Sequence, residues 1–533
     1  MPPLPELLLS PGVAIVFAVL GVSLIRYGSS IPYGKKDVLP PGPKPLPLIG
    51  NIFDLTRHQL WLRVSKWADM YLTWTTGDLV YVHVFGKGFL FLNSYEAVYD
   101  LLDKRGAAYA GRPRSVMCSE LCGCENINAF AQYGPQFRRH RWLMQHALGP
   151  GNIQGYRPLI MAETHLLLQR MSESGKDFMS HIRRWYIGGQ TFAIVYGHRI
   201  VDENDPYLKR AENILELLSN QVASLGAGVW IVDIFPFLKH LPPWFPGAGF
   251  KRKASNWRTE IEACFRLPFE RVREDMSNNA RASYCGVLLN KPTEDVGIGR
   301  AQYESDIQWT AGTMYVASLD TTLTVLMHFV LAMIQYPQVA QKAQAEIDRA
   351  VGPDRLPTFD DRPALPYVEA ILNECLRWAA PIPLALPHRL TEDDTYRGMR
   401  IPKNTLVFAN VWRMSRDPEL FVNPNEFIPE RYLNPPADDT EAKRRDPRNY
   451  VFGFGRRRCP GAALAESSLW AVMACMLATM DFNKATDSAG QPIQPLVEYR
   501  DVTFRIPTAF PCNIRPRSEH ASKLIREAAT ARE

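Results

Sequence analysis

The sequence predicts a mostly helical α+β protein, one large helical body with a small β-rich part, preceded by a single membrane-spanning helix. Three observations predict it. A chain of 533 residues with 46% hydrophobic and 11% aromatic content is long and apolar enough to bury a large core. Three long stretches, Glu304 to Gln335, Leu365 to Trp378 and Ala462 to Met480, carry helical apolar patterns, whereas strand-like pieces such as Leu79 to Val84 and Thr405 to Ala409 are few and short. The 42 prolines and 34 glycines are dispersed, without the fixed period of a solenoid.

At the amino end, Leu7 to Ile25 carries no charge. At about 1.5 Å per residue this helix nearly matches a hydrocarbon core of roughly 30 Å. Glu6 precedes it and Arg26, Lys35 and Lys36 follow, so the positive-inside rule puts the remainder in the cytosol. Prolines between Leu39 and Asn51 forbid a helix and favour a stiff extended spacer. The expected division is an anchor over 1–27, a Pro-rich arm over 28–51 and one large domain over 52–533.

A formal charge of +6, with no long basic run interleaved with aromatics, argues against nucleic acid as a partner. Nine cysteines form no disulfide framework and favour reduced thiols. Cys118, Cys122 and Cys124 raise a zinc site, but without a second Cys/His cluster nearby they read as small buried thiols.

Within the Glu304 to Gln335 helix, Ala317-Ser-Leu-Asp-Thr-Thr322 puts an acid and hydroxyls in an apolar setting, which is costly unless they serve something. The bland alternative for Thr321 is a bond back to the carbonyl four residues earlier. In the next helix, Glu374 and Arg377 sit three apart on one face among apolar neighbours. The stretch Phe452-Gly-Phe-Gly-Arg-Arg-Arg-Cys-Pro-Gly461 sets Cys459 between glycine turns and ahead of the Ala462 helix, with Pro460 suited to its first turn. A thiol at a helix amino terminus is expected to have a lowered pKa and to act as a nucleophile or a metal ligand.

Phe452-x-x-Gly455-x-Arg457-x-Cys459-x-Gly461 resembles the haem-binding loop of the cytochrome P-450 monooxygenases, and Glu374-Cys-Leu-Arg377 with Arg431 in Phe427-Ile-Pro-Glu-Arg-Tyr432 resembles that family's Glu-Arg-Arg cluster behind the haem. The resemblance implies the cytochrome P-450 fold, with 52–533 as a haem-thiolate domain and Cys459 as axial iron ligand, its thiolate favouring O–O cleavage. It implies that Arg112, Arg141, His388 and Arg457 bind the propionates of haem b, with Phe137 in place of the usual tryptophan, which loses one N–H bond but keeps aromatic packing. Asp320 and Thr321 match the positions that relay protons, while Ser318 stands where glycine is usual.

The resemblance also implies a membrane enzyme of the endoplasmic reticulum, single-pass, with its domain in the cytosol. It would insert one oxygen atom of O2 into an apolar small molecule, with NADPH-derived electrons delivered by a separate NADPH–cytochrome reductase. The anchor, arm and Pro-His-Arg segment look most like fungal members that act on terpenoids, polyketides or other secondary metabolites. A haem-thiolate isomerase or dehydratase, needing no reductase, and a non-catalytic haem carrier are the rival readings; the acid in the buried helix weighs against both. Arg138, Arg139, Arg456 and Arg458 are expected to form a basic face for an acidic electron donor. Trp244 and Phe245, in the Pro-rich stretch from Phe235 to Gly249, either meet membrane lipid or tuck into the core.

Overall fold

The computed structural model describes residues 38–55, 58–71, 77–200, 204–222, 230–276, 283–291, 297–495, 497–499 and 503–530. The expected anchor over 1–27, and the start of the arm, lie outside the described residues. The longer helices are α1 (Leu60–Met70), α2 (Pro135–Leu148), α3 (Pro150–Glu173), α4 (Pro206–Leu217), α5 (Gly249–Asp275), α6 (Arg300–Gln335), α7 (Pro337–Ala350), α8 (Pro366–Ala379), α9 (Ala462–Thr479) and α10 (Glu519–Thr530). Proline sets several boundaries: Pro135, Pro150, Pro206, Pro337 and Pro366 each open a helix, where the missing N–H costs nothing.

The strands are β1 (Leu79–Val84), β2 (Lys87–Leu92), β3 (His388–Arg389), β4 (Asp394–Tyr396), β5 (Met399–Ile401), β6 (Leu406–Ala409), β7 (Met480–Lys484) and β8 (Cys512–Pro516). One sheet has the order β1-β2-β6-β3, with β2 and β6 parallel (Phe89 opposite Leu406) and the other pairs antiparallel; β4-β5 and β7-β8 form two hairpin-like pairs. The described part of the arm, 38–51, does not stand off as a spacer. It lies along the outer edge of β1, where Tyr81 N–H donates to Pro41 O at 2.8 Å and Asn51 N–H to His83 O at 2.7 Å. This covers backbone groups that an edge strand would leave open.

α6 runs through the middle of the helical body and is buried around nearly its whole circumference, packed by α2, α4, α5, α8 and α9. α6 and α9 are each long and apolar enough to cross a membrane, but both are core helices. Behind them, Glu374 and Arg377 of α8 are fully buried and joined by two bonds, Nε to Oε2 at 2.7 Å and Nη2 to Oε1 at 2.6 Å. Arg377 also donates to the carbonyls of Ser415, Pro424 and Glu426, while Glu374 accepts Ile428 N–H at 2.8 Å and lies 3.4 Å from Arg431 Nε. Arg431 donates as well to the carbonyls of Val422 and Asn423. One ion pair thus gathers the 415–431 segment onto α8, which leads towards the cysteine loop.

Candidate functional site

A cavity of about 550 Å³ lies between α6, α2, the cysteine loop and the sheet. Arg112, Phe137, Arg141, Ser318, Thr321, His388, Arg457 and Cys459 all line it, so residues spread over 348 positions of sequence converge on one space.

The cysteine loop is held from both sides. Gly455 has φ +48, and a Cβ there would meet Leu102 O at 2.2 Å, so only glycine fits the turn without displacing that backbone. Its N–H donates to Asp103 Oδ1 at 2.6 Å, and Cys459 N–H donates to Phe452 O at 2.7 Å. α9 starts at Ala462 with Gly461 as its cap, so Pro460 stands just before the helix instead of in its first turn. The expected lowering of the thiol pKa is reversed: burial, the largest influence, pushes Cys459 up, against the Gly461 N–H, Arg141 and Arg458, which pull it down. Cys459 is open to the cavity, not packed in the core, and the protein crowded around it disfavours a charged sulfur. A cationic centre bound at the sulfur is what would make it a thiolate, which suits a soft metal ligand better than a nucleophile.

The cations round the cavity fit an anion. Arg457 donates to Ala110 O and Ala131 O, both at 2.8 Å, and Arg112 donates to Ala129 O, Leu386 O and Pro387 O. His388 Nδ1–H donates to Tyr109 O at 2.9 Å. Among the described residues neither these three nor Arg141 meets a carboxylate. Burial and mutual repulsion therefore prevail: burial, then Arg112 and Arg141, push Arg457 down to about 8, against Tyr133; burial pushes Arg112 down to about 10; burial, then Arg112, push His388 down to about 3, against its bond to Tyr109 O. Burial likewise lowers Arg141. A dianionic group in the cavity would supply the missing countercharge, so sulfur and cations together fit haem with its two carboxylates. Phe137 lies beneath Arg457, its ring centre 3.9 Å from the guanidinium carbon, and keeps that cation in place by stacking.

On α6, Thr321 and Ser318 face the cavity, and both hydroxyls are bonded within the helix, Thr321 to Ala317 O at 3.2 Å and Ser318 to Tyr315 O at 2.8 Å. Asp320 does not line the cavity. Its Oδ1 accepts Arg183 Nη2 at 2.5 Å on another side of the helix, and Arg183 Nε lies 3.7 Å from Glu212. The expected basic face is thinner than its sequence suggests: Arg138, Arg456 and Arg458 are exposed, but Arg139 is bound to the buried Asp306 at 2.8 Å. Of the two readings of the 235–249 stretch, exposure prevails, with Trp244 78% exposed and Phe245 40%. Cys118, Cys122 and Cys124 are buried, and contact with Cys124 and burial raise the Cys118 thiol well up. Sequence reasoning missed Lys87, Ser115 and Asp233, which line the same cavity and meet only through long-range contacts.

The pattern of the Cytochrome P450 family matches residues 40–508. Among similar proteins, Cytochrome P450 monooxygenase 176 of Postia placenta is 40% identical over 493 residues, 92% of each chain. Cytochrome P450 monooxygenase claT of Ampulloclitocybe clavipes is 38% identical over 92% of this chain and 94% of its own. Tryptamine 4-monooxygenase of Psilocybe cyanescens is 37% identical over 92% of this chain and 95% of its own.

Proposed function

Since the chain belongs to the cytochrome P450 family and is a monooxygenase, we propose that it is a microsomal enzyme which oxygenates an apolar small molecule, a terpenoid, polyketide or other secondary metabolite. The observation that carries the reading is the Cys459 sulfur, open to a mostly apolar cavity that is ringed by uncompensated cations. In this reading NADPH, through a separate reductase, supplies two electrons, and O2 ends as one oxygen atom in the product and one in water. A relative named tryptamine 4-monooxygenase supports a small organic substrate.

Haem b, when bound, would supply the redox chemistry that splits O2. Cys459 would hold its iron, and Arg112, Arg141, His388 and Arg457 would hold its carboxylates. Thr321 positions protons at its Oγ1. Asp320 feeds them from behind, its bond to Arg183 opening when it does so. Ser318 acts by bulk: its hydroxyl bond to Tyr315 O, at 2.8 Å, is shorter than that of Thr321 to Ala317 O, at 3.2 Å, which leaves Thr321 the readier hydroxyl to turn to the cavity.

Turnover with NADPH, reductase and candidate substrates tests the assignment. Thr321→Ala is expected to keep consuming NADPH while diverting electrons to hydrogen peroxide, so product per NADPH falls. Asp320→Asn keeps the shape but cannot exchange a proton, and is expected to slow product formation on the order of 100-fold. Ser318→Gly is expected to leave coupling unchanged or improved. Full coupling in Thr321→Ala would remove the relay, and product formed without NADPH would favour an isomerase.

For location we propose the endoplasmic-reticulum membrane, with one spanning helix over Leu7 to Ile25 and the domain in the cytosol. The uncharged run and the exposed Trp244 and Phe245 support this. Removing residues 1–27 is expected to release much of the protein from membranes with haem content intact. A truncated chain that sediments with membranes as fully as the intact one would overturn the spanning helix.

A further inference from the structure

The cavity wall carries a second polar group, separate from the cations around Cys459. Lys87 opens β2, Ser115 caps the helical turn Val116–Leu121, and Asp233 lies in the turn Ile231–Ile234; all three line the cavity. Asp233 joins the three segments. Its carboxylate accepts the Ser115 hydroxyl at 3.0 Å to either oxygen and Met117 N–H at 2.9 Å, and its backbone carbonyl accepts Lys87 Nζ at 3.1 Å. The carboxylate acts on the charge of Lys87 through space while its oxygens serve the 115–117 turn; burial raises the Asp233 pKa, and the Met117 N–H, the Ser115 hydroxyl and Lys87 oppose that.

An ammonium carries three donors. Asp233 O takes one, and no other acceptor is bonded to Lys87 among the described residues. The cavity wall is largely apolar, with Leu60, Trp61, Phe89 and Trp230 among its lining residues. Burial lowers the Lys87 pKa and the charge of Asp233 opposes that. When a substrate expels water, the remaining donors are left without partners unless the substrate brings one. A hydrocarbon brings none. A carboxylate brings one, but adds a second negative charge beside Asp233. A carbonyl oxygen accepts without adding charge.

We infer that Lys87 is a specificity-determining residue, donating to a neutral acceptor oxygen of carbonyl type on an otherwise apolar substrate. This rests on the proposed function, in which an apolar molecule occupies the cavity. It narrows the substrate class to molecules that already carry a neutral acceptor oxygen at one position, so that the reaction which installs that oxygen precedes this one.

The test uses the full-length, haem-loaded protein and 1-alkylimidazoles, whose ring nitrogen binds haem iron and shifts the Soret band. Tails of graded length end in a methyl ketone, in plain alkyl or in a carboxylate. At one tail length the ketone is expected to bind roughly 10- to 100-fold tighter than the alkyl tail. Lys87→Met is expected to erase that preference, chiefly by letting the alkyl tail bind tighter because no unpartnered ammonium remains, while the retained Soret shift reports an intact cavity; Lys87→Arg keeps the preference. The inference is overturned if no length favours the ketone, if the preference survives Lys87→Met, or if the carboxylate tail binds tightest. Should no imidazole move the Soret band, the haem-cavity reading itself falls and takes this inference with it.

Discussion

Cys459→Ala is expected to abolish the red-shifted ferrous-carbonyl Soret band of thiolate ligation and to reduce oxygenation to background. The cavity wall holds a second cysteine, Cys118, so the outcome is a choice between sulfurs. Cys118 lies against Cys124, its thiol held far above the ordinary range, whereas Arg141 and Arg458 act on the Cys459 sulfur. Cys459 has the Gly461 N–H, Arg141 and Arg458 to favour its anion once a cationic centre offsets burial. Replacing Cys118, Cys122 and Cys124 together by serine should therefore leave the band in place. A normal band in the Cys459 variant would refute the assignment of the ligand.

Arg377→Met is expected to cost about 3–5 kcal/mol, the usual effect of stripping one partner from a fully buried ion pair. It would leave Glu374 charged and buried, with the carbonyls of Ser415, Pro424 and Glu426 unbonded. Whole-domain stability is typically only about 5–15 kcal/mol, so the yield of haem-loaded protein should collapse. Arg377→Lys should recover little, since a point charge cannot replace a fork reaching four partners. Replacing Glu374 as well should not rescue the fold, because the three carbonyls stay bare. Denaturant midpoints compare the variants, and an unchanged midpoint in Arg377→Met would show that the pair does not hold the 415–431 segment.

Much of the fold was legible because its signals are local. β1 spans Leu79–Val84 as the pattern predicts, and α8 and α9 fall within one or two residues of the expected ranges. α6 begins at Arg300, ahead of Glu304, because polar first-turn residues carry no apolar period. The arm misled for a physical reason: prolines specify an extended backbone, but say nothing of what that backbone lies against. β1 supplied the answer, since its outer edge needed covering.

The sequence by itself determined the cysteine loop, the pairing of Glu374 with Arg377 and the two long core helices, because each is written within a few adjacent residues or one helical period. Only the tertiary structure decided which way neighbouring groups face and what burial does to them. Asp320 and Thr321 are consecutive, about 100° apart around α6, and spacing alone does not say which of them reaches the cavity, since the neighbouring Thr321 and Thr322 both do. Packing chose Thr321 for the cavity and gave Asp320 to Arg183, 137 residues away. Arg139 looked like Arg138 in sequence until Asp306 claimed it, and Cys459 looked like an acidified thiol until burial outweighed the nearby N–H and cations. Lys87 and Asp233, 146 residues apart, have no shared pattern at all. Motifs record what a chain does to its immediate neighbours, whereas electrostatics and orientation depend on segments brought near only by folding.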